Sequence, residues 1–259
     1  MKNKGSIESI NALEYIKKEI PEQKDILNFY LISARKNLRD KSWSPLSPND
    51  FLILTKKSLS RIILNENHLI DALIESLIRL NKKLQGETPN VIFLWNSLLK
   101  SKKFRPKNEN DFSDFIKTHL VEDLQENKII CLREVQIRRK QGEGGKRGEN
   151  IDIDVKGFIP STNKNINVII EVKGCWHNEV NKAMETQLLN RYLNESGCNH
   201  GIYLVGWYCC NQWDGKDSKK NKIKDRTIEE ARSFFDEQAK KLSSGNKTIK
   251  AFVLDCALR

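Results

Sequence analysis

Apolar and polar positions alternate in two distinct ways along the chain. Ile62, Ile63, His68, Leu69, Ala72, Leu73, Ser76, Leu77 and Leu80 trace a stripe near the 3.6-residue period, which predicts a helix. Ser47-Pro48 and Gly86-Glu87-Thr88-Pro89 supply breaks, so residues 1–108 read as helix-turn-helix elements without a fixed-length repeat. Nothing in that half carries chemistry, and it is expected to be a scaffold or docking region. The polar "SKKFRPKNEN" (101–110) reads as a linker. Beyond it, Phe112, Ile116, Leu120 and Leu124 recur every four residues as one face of a helix. Three strand-like runs follow, "KIICLREVQIR" (128–138), "NIDIDVKGFI" (150–159) and "NVIIEVK" (167–173), with short antiparallel connections. A helix over about 179–194, a buried strand "GIYLVGWY" (201–208), a helix over 227–242 with a Thr/Glu capping box and a last strand (248–255) complete the pattern. The order αβββαβ, then αβ, predicts an α/β domain over 109–259 behind a helical N-terminal domain.

Two of the strands carry charge on one face. Ile151, Ile153 and Val155 share one side of their strand and leave Asp152 and Asp154 on the other. Val168, Ile170 and Val172 likewise leave Glu171 opposite, with Lys173 beside it. A hairpin pivoting between Ser161 and Thr162 sets Asp152 across from Glu171, with Cβ atoms about 5 Å apart. A two-residue shift of register substitutes Asp154, so spacing alone leaves both aspartates open. Two carboxylates at that distance repel unless a positive group lies between them, and their hard oxygens suit Mg²⁺ or Mn²⁺. The bland alternative is a surface ladder of ion pairs, Asp152 with Lys173 or Glu171 with Lys156, worth at most about 1 kcal/mol.

The balance of 45 Lys and Arg against 34 Asp and Glu, a formal charge of +11, adds a general attraction to polyanions. Positive charge gathers in "RRKQGEGGKRG" (138–148) and "KDSKKNKIK" (216–224), both without an apolar period and both expected to be exposed loops. Arg138, Arg139, Lys140, Lys146, Arg147, Lys219, Lys220 and Lys222 are thus candidates for phosphate contacts, and Trp176 for stacking on a base or on the neighbouring loop. "QGEGGKRG" lacks G-K-[S/T] and opens no helix, which makes it a hairpin tip and not a phosphate-binding P-loop. Six cysteines without a C-x-x-C pair and four scattered histidines point away from a zinc site or disulfide framework. Cys209 and Cys210 read as reduced, partly buried thiols. No apolar run suits a membrane span or a secretory peptide, so a soluble, cytoplasmic protein with no membrane partner is expected.

"IDIDV" followed by "IIEVKG" within the αβββαβ order resembles the PD-(D/E)xK nuclease superfamily, the restriction-endonuclease-like fold, over roughly 109–255. The resemblance implies that Asp152 and Glu171 are metal ligands for Mg²⁺ or Mn²⁺ and that Lys173 is the catalytic lysine. Asp152 is preferred to Asp154 because "DIDV" matches the superfamily's usual pattern, although Ile151 stands where proline is common. Gln187 falls where many members have a glutamine or lysine near the scissile phosphate. Tyr192 follows it by five, one residue longer than the Q-x-x-x-Y signature of RecB-like nucleases. Glu109 falls where an accessory metal-binding glutamate is frequent, with Asp111, Glu122 and Asp123 as rivals. His177 is a candidate additional base, against a plain polar surface role. The stretch from "VIIEVKGCWH" to "HGIYLVGWY" is also similar to nuclease-type domains at the C-terminal end of bacterial anti-phage defence proteins. Together these imply a divalent-metal-dependent nuclease acting on DNA in preference to RNA, with a sensor or ATPase partner docking on the helical region and a possible homodimer. The alternative is a catalytically silent nuclease-like module that binds nucleic acid or a protein partner.

Overall fold

The structure is a computed structural model and describes residues 6–42, 63–86, 90–98, 102–125, 129–136, 150–159, 162–223 and 225–259. The chain divides into two compact units, residues 1–58 and 59–259. In the first, α1 (Ile7–Glu19) starts at a reciprocal capping box between Ser6 and Ser9 and packs on α2 (Lys24–Ser42). Leu13, Leu27, Leu31 and Ala34 form its small core, and an Arg35–Glu14 ion pair of 2.6 Å ties the two helices together.

The second unit starts well before the division expected at 108/109. Its first helix, α3 (Glu66–Leu84), buries Leu69, Leu73, Leu77 and Leu80 of the stripe in the same core as the sheet, with Ala72 and Ser76 also buried. That apolar face has its partner within the unit, so α3 cannot be a separate scaffold. The segment expected as a linker is also folded: β1 (Trp95–Leu98) and β2 (Lys103–Pro106) form an antiparallel hairpin. Phe104 N–H donates to the Gln212 carbonyl and accepts in turn from Asp214 N–H through its own carbonyl, at 3.0 and 2.8 Å. The four-residue strands are too short to have shown a period.

The remaining order follows the expectation. α4 (Glu109–Leu124) precedes β3 (Ile129–Gln136), β4 (Asn150–Ile159) and β5 (Lys164–Gly174). A π helix (Met184–Leu193), β6 (His200–Trp207), α5 (Ile228–Leu242) and β7 (Thr248–Asp255) complete the unit. The sheet runs β3-β4-β5-β6-β7, antiparallel in its first two pairings and parallel in its last two. Leu69 of α3 and Phe112 of α4 reach Gly157 and Gly206 on one face, while Leu188 of the π helix reaches Gly201 and Phe235 of α5 meets Tyr203 on the other. The result is a mixed sheet with helices on both faces, which explains why β5 and β6 are buried nearly throughout.

The register of β4 on β5 is the one expected from the 161/162 pivot, with Ile153 opposite Ile170 and Val155 opposite Val168. No helix among the described residues is long and apolar enough to cross a membrane. The six cysteines are unbridged thiols, with Cys209 and Cys210 half-buried.

Candidate active site

The charged face of β5 is turned toward the π helix and α5, because Glu171 pairs in register with Tyr203 of the parallel neighbour β6. Glu171 is fully buried and Lys173 nearly so. The Lys173 ammonium donates to Glu171 Oε1, while Glu171 Oε2 is buried without a hydrogen-bond partner among the described residues. Burial first, and then the neighbouring Asp152 carboxylate, push the Glu171 pKa up to about 8 against the pull of Lys173. Burial also opposes the Lys173 charge, but the Glu171 and Asp152 carboxylates outweigh it and raise that pKa above its ordinary value. One ammonium thus faces two carboxylates, so a single proton retained by the acids leaves the group neutral.

Asp152 enters from β4 just past the last ladder pair, Ile153 with Ile170. Its Oδ2 accepts from Val172 N–H at 2.9 Å, so the side chain continues the ladder where the backbone pairing ends. That contact holds the carboxylate beside Glu171. Asp154, on the same face, is instead paired with Lys156 at 3.3 Å. Register alone left both aspartates open; the three-dimensional arrangement brings Asp152 to Glu171 and Lys173.

Glu109 is the first residue of α4, whose N-cap Asn108 accepts from Asp111 N–H at 2.8 Å. Its Oε1 accepts from Gly174 N–H at 2.8 Å, immediately after Lys173. Gly174 has to be glycine, since a Cβ there would lie 2.5 Å from the Trp176 indole. His177 sits on the rim: its Nδ1 accepts from Glu179 N–H at 3.1 Å and its Nε2 lies 3.9 Å from Glu109 Oε2. Of the rivals to Glu109, Asp123 is committed to Arg79 in a bidentate pair. Gln187 is half-buried on the π helix and donates to Glu179 Oε2 at 2.9 Å rather than to the carboxylates. In a π helix the hydrogen bond reaches the fifth residue, the separation of Gln187 from Tyr192, and of the two Tyr192 is buried. Such widened turns occur frequently at functional sites.

The expected nucleic-acid contacts fare differently. Trp176 is buried, packed edge-on against Tyr208 and Trp213, and has no face to offer a base. Lys219 Nζ lies 4.7 Å over the Trp176 ring and donates to the Pro106 and Lys107 carbonyls at 3.1 and 3.2 Å. Lys220 Nζ donates to the Trp213 carbonyl at 3.1 Å. Lys219 fastens the loop to the β2–α4 junction, Lys220 braces the loop on itself, and only Lys222 of the trio is exposed. The apolar anchors Trp213 and Trp176 inside and beside the loop turn its ammonium groups inward. Arg138, Arg139, Lys140, Lys146 and Arg147 lie outside the described residues.

Tyr203 was invisible to sequence reasoning, because only the parallel β5–β6 register brings it to Glu171. It is fully buried, its hydroxyl donates to the Val180 carbonyl at 2.6 Å, and burial together with the charges of Glu171, Glu109, Asp152 and Glu179 raises its pKa well above the ordinary value. It forms a neutral wall beside the carboxylates. Among the described residues no three His, Cys, Asp or Glu side chains converge into a ready-made metal cage. Asp152 and Glu171 are a two-carboxylate site, and Glu109 is turned toward the Gly174 amide.

Residues 93–209 match the family model described as Domain of unknown function (DUF8371), less than half of the chain but including Glu109, Asp152, Glu171, Lys173 and Gln187. No curated protein and no solved structure matches the chain.

Proposed function

We propose that the protein is a divalent-metal-dependent nuclease that hydrolyses phosphodiester bonds, with DNA as its substrate, on a restriction-endonuclease-like core. One observation carries this: a fully buried carboxylate, Glu171, keeps one oxygen without a hydrogen bond beside a second carboxylate, Asp152, and an ammonium, Lys173. An unpaired buried carboxylate oxygen is costly; Asp154 Oδ1 shares that feature within its ion pair to Lys156, so it is the second carboxylate, Asp152, beside Glu171 that points to a cation. The pair lies toward the carboxyl end of β5, beside the parallel β6, the end of parallel strands where ligands commonly bind in open α/β sheets.

The donor chemistry fits Mg²⁺ or Mn²⁺, because both carboxylates present hard oxygens and their mutual repulsion is what a divalent cation relieves. Asp152 and Glu171 would hold the ion, with Glu109 nearby; when bound, it supplies Lewis-acid polarisation of a phosphoryl oxygen and acidifies water. Lys173 Nζ would orient the attacking water and stabilise negative charge building on the phosphoryl oxygens as the ester P–O bond breaks. Tyr203 and the surrounding apolar wall exclude bulk water, which strengthens these charge interactions. Gln187 and His177 would meet the substrate at the rim. The helical N-terminal unit is the natural docking site for a sensor or ATPase partner if the protein serves anti-phage defence.

The test is cleavage of supercoiled plasmid, linear duplex, single-stranded DNA and RNA with Mg²⁺, Mn²⁺ or EDTA, comparing the native chain with Glu171→Gln and Lys173→Ala. Metal-dependent cutting lost in both variants supports the nuclease and identifies its substrate. Cutting that persists in both places the chemistry elsewhere. Mn²⁺ should also raise the melting temperature of the native chain but not of Glu171→Gln, a readout independent of turnover.

A further inference from the structure

β7 is the last strand of the sheet, and its outward backbone groups are closed at both ends but open in the middle. The residues that face β6 are the even ones, since Thr248 N–H donates to Asn199 and Cys256 N–H to Trp207, both at 2.8 Å. Residues 249, 251, 253 and 255 therefore direct their N–H and C=O groups away from the sheet. At one end Ser243 Oγ accepts from Ile249 N–H at 2.9 Å and donates to the Ile249 carbonyl at 3.1 Å. At the other, Asn81 Oδ1 accepts from Asp255 N–H at 2.9 Å and Gln85 Nε2 donates to the Asp255 carbonyl at 3.0 Å. Among the described residues Ala251 and Val253 have no such caps.

These two residues and Phe252 floor a cleft of about 400 Å³ walled by Ile78 and Lys82 of α3 and by Arg232 and Asp236 of α5. Ile78 is exposed and Phe252 half-buried, so the cleft combines unpaired backbone with apolar side chains, the features that invite strand pairing.

We propose that this edge pairs antiparallel with the same edge of a second copy, joining the two sheets into one. The window is self-complementary. A two-fold axis at Phe252 sets Ala251 opposite Val253 of the second copy, and each such pair exchanges two backbone hydrogen bonds. The same axis acts on α5. Arg232 and Asp236 stand one turn apart on the cleft wall, so each arginine meets the other copy's aspartate. Their present partners, Glu229 at 3.9 Å and Lys240 at 2.5 Å, are on their own helix and exposed enough to yield. An arbitrary extended segment could use the backbone groups but would not bring the Arg232 and Asp236 exchange that a second copy supplies.

Sedimentation or light scattering of the full chain at micromolar concentration tests the pairing. The native chain should be a dimer. Ala251→Pro removes an outward N–H that the sheet does not use and should weaken the dimer by about tenfold or more. Arg232→Asp, at a surface helical position, should also weaken it, and the double variant Arg232→Asp with Asp236→Arg should restore it, because the swapped charges again face each other. If Ala251→Pro fails to fold, as judged by its melting transition, the charge pair still decides. A monomeric native chain, a dimer indifferent to both single variants, or a swap that does not restore association would each overturn the proposal.

Discussion

Lys173 on β5 and Lys219 in the loop after β6 are both largely withdrawn from solvent, yet their surroundings are opposite. Lys173 faces two carboxylates, which raise its pKa despite burial. Lys219 faces two backbone carbonyls and an indole, and burial lowers its pKa although Asp217 and Glu109 pull the other way. A carbonyl satisfies an ammonium without needing its full charge, whereas a carboxylate answers charge with charge. One lysine therefore belongs to a polar group with an unused acceptor, Glu171 Oε2, and the other to a clasp in which each donor has found its place. Positive residues with a similar sequence signature thus divide into a buried charge cluster and a structural clasp by what their atoms touch.

The largest effects should come from breaking the first group. Glu171→Gln should lower metal-dependent cleavage by about 10² to 10³-fold or more, measured as initial rates, while leaving the fold intact because it removes repulsion. Lys173→Met leaves two carboxylates without their cation and should cost about 3–5 kcal/mol at pH 8, read by chemical denaturation. A smaller loss would mean that the pair is effectively solvated.

Acidity sharpens the same contrast. In the metal-free protein Glu171 holds a proton up to about pH 8, against an ordinary value of 4.5, so the folded state binds a proton that the unfolded chain releases. Stability due to this group is therefore highest below pH 4.5, falls as pH rises to about 8 and is level above it. The difference in unfolding free energy between the native chain and Glu171→Gln should follow that slope. Saturating Mn²⁺ should flatten it, since the cation binds the deprotonated form.

The clasp should respond in stability alone. Lys219→Met gives up two charge-assisted hydrogen bonds and the stacking over Trp176, costing about 1.5–3 kcal/mol, with the salt dependence of DNA binding unchanged. Lys222→Gln, on the exposed side, should move stability by no more than about 0.5 kcal/mol and reduce the salt slope by roughly 1 if that lysine meets phosphate. A slope altered by Lys219→Met instead would return the clasp to the binding surface.

Much of this was legible beforehand, and for identifiable reasons. The stripe from Phe112 to Leu124 and the alternation in β4 and β5 are local periods, and each matches a buried face of its element. A short connection pins the hairpin, so the pairing of Ile153 with Ile170 could be read from the chain. The β1–β2 hairpin could not, because strands of four residues carry too little pattern. Trp176 looked like a stacking residue because it follows the charged motif; its burial depends on Trp213 and Tyr208, which arrive from after β6.

The amino-acid sequence by itself determined the order of the elements, the helix and strand faces, and the pairing of the carboxylate strands, because these depend on neighbours a few residues apart. Tertiary structure alone decided that Glu171 and Lys173 are buried, that Tyr203 walls the site, that α3 shares the sheet's core and that Lys219 serves the fold. Each of these turns on which distant group fills a given space, and burial, which converts an ordinary carboxylate into one with a pKa near 8, is a property of that space and not of the residue.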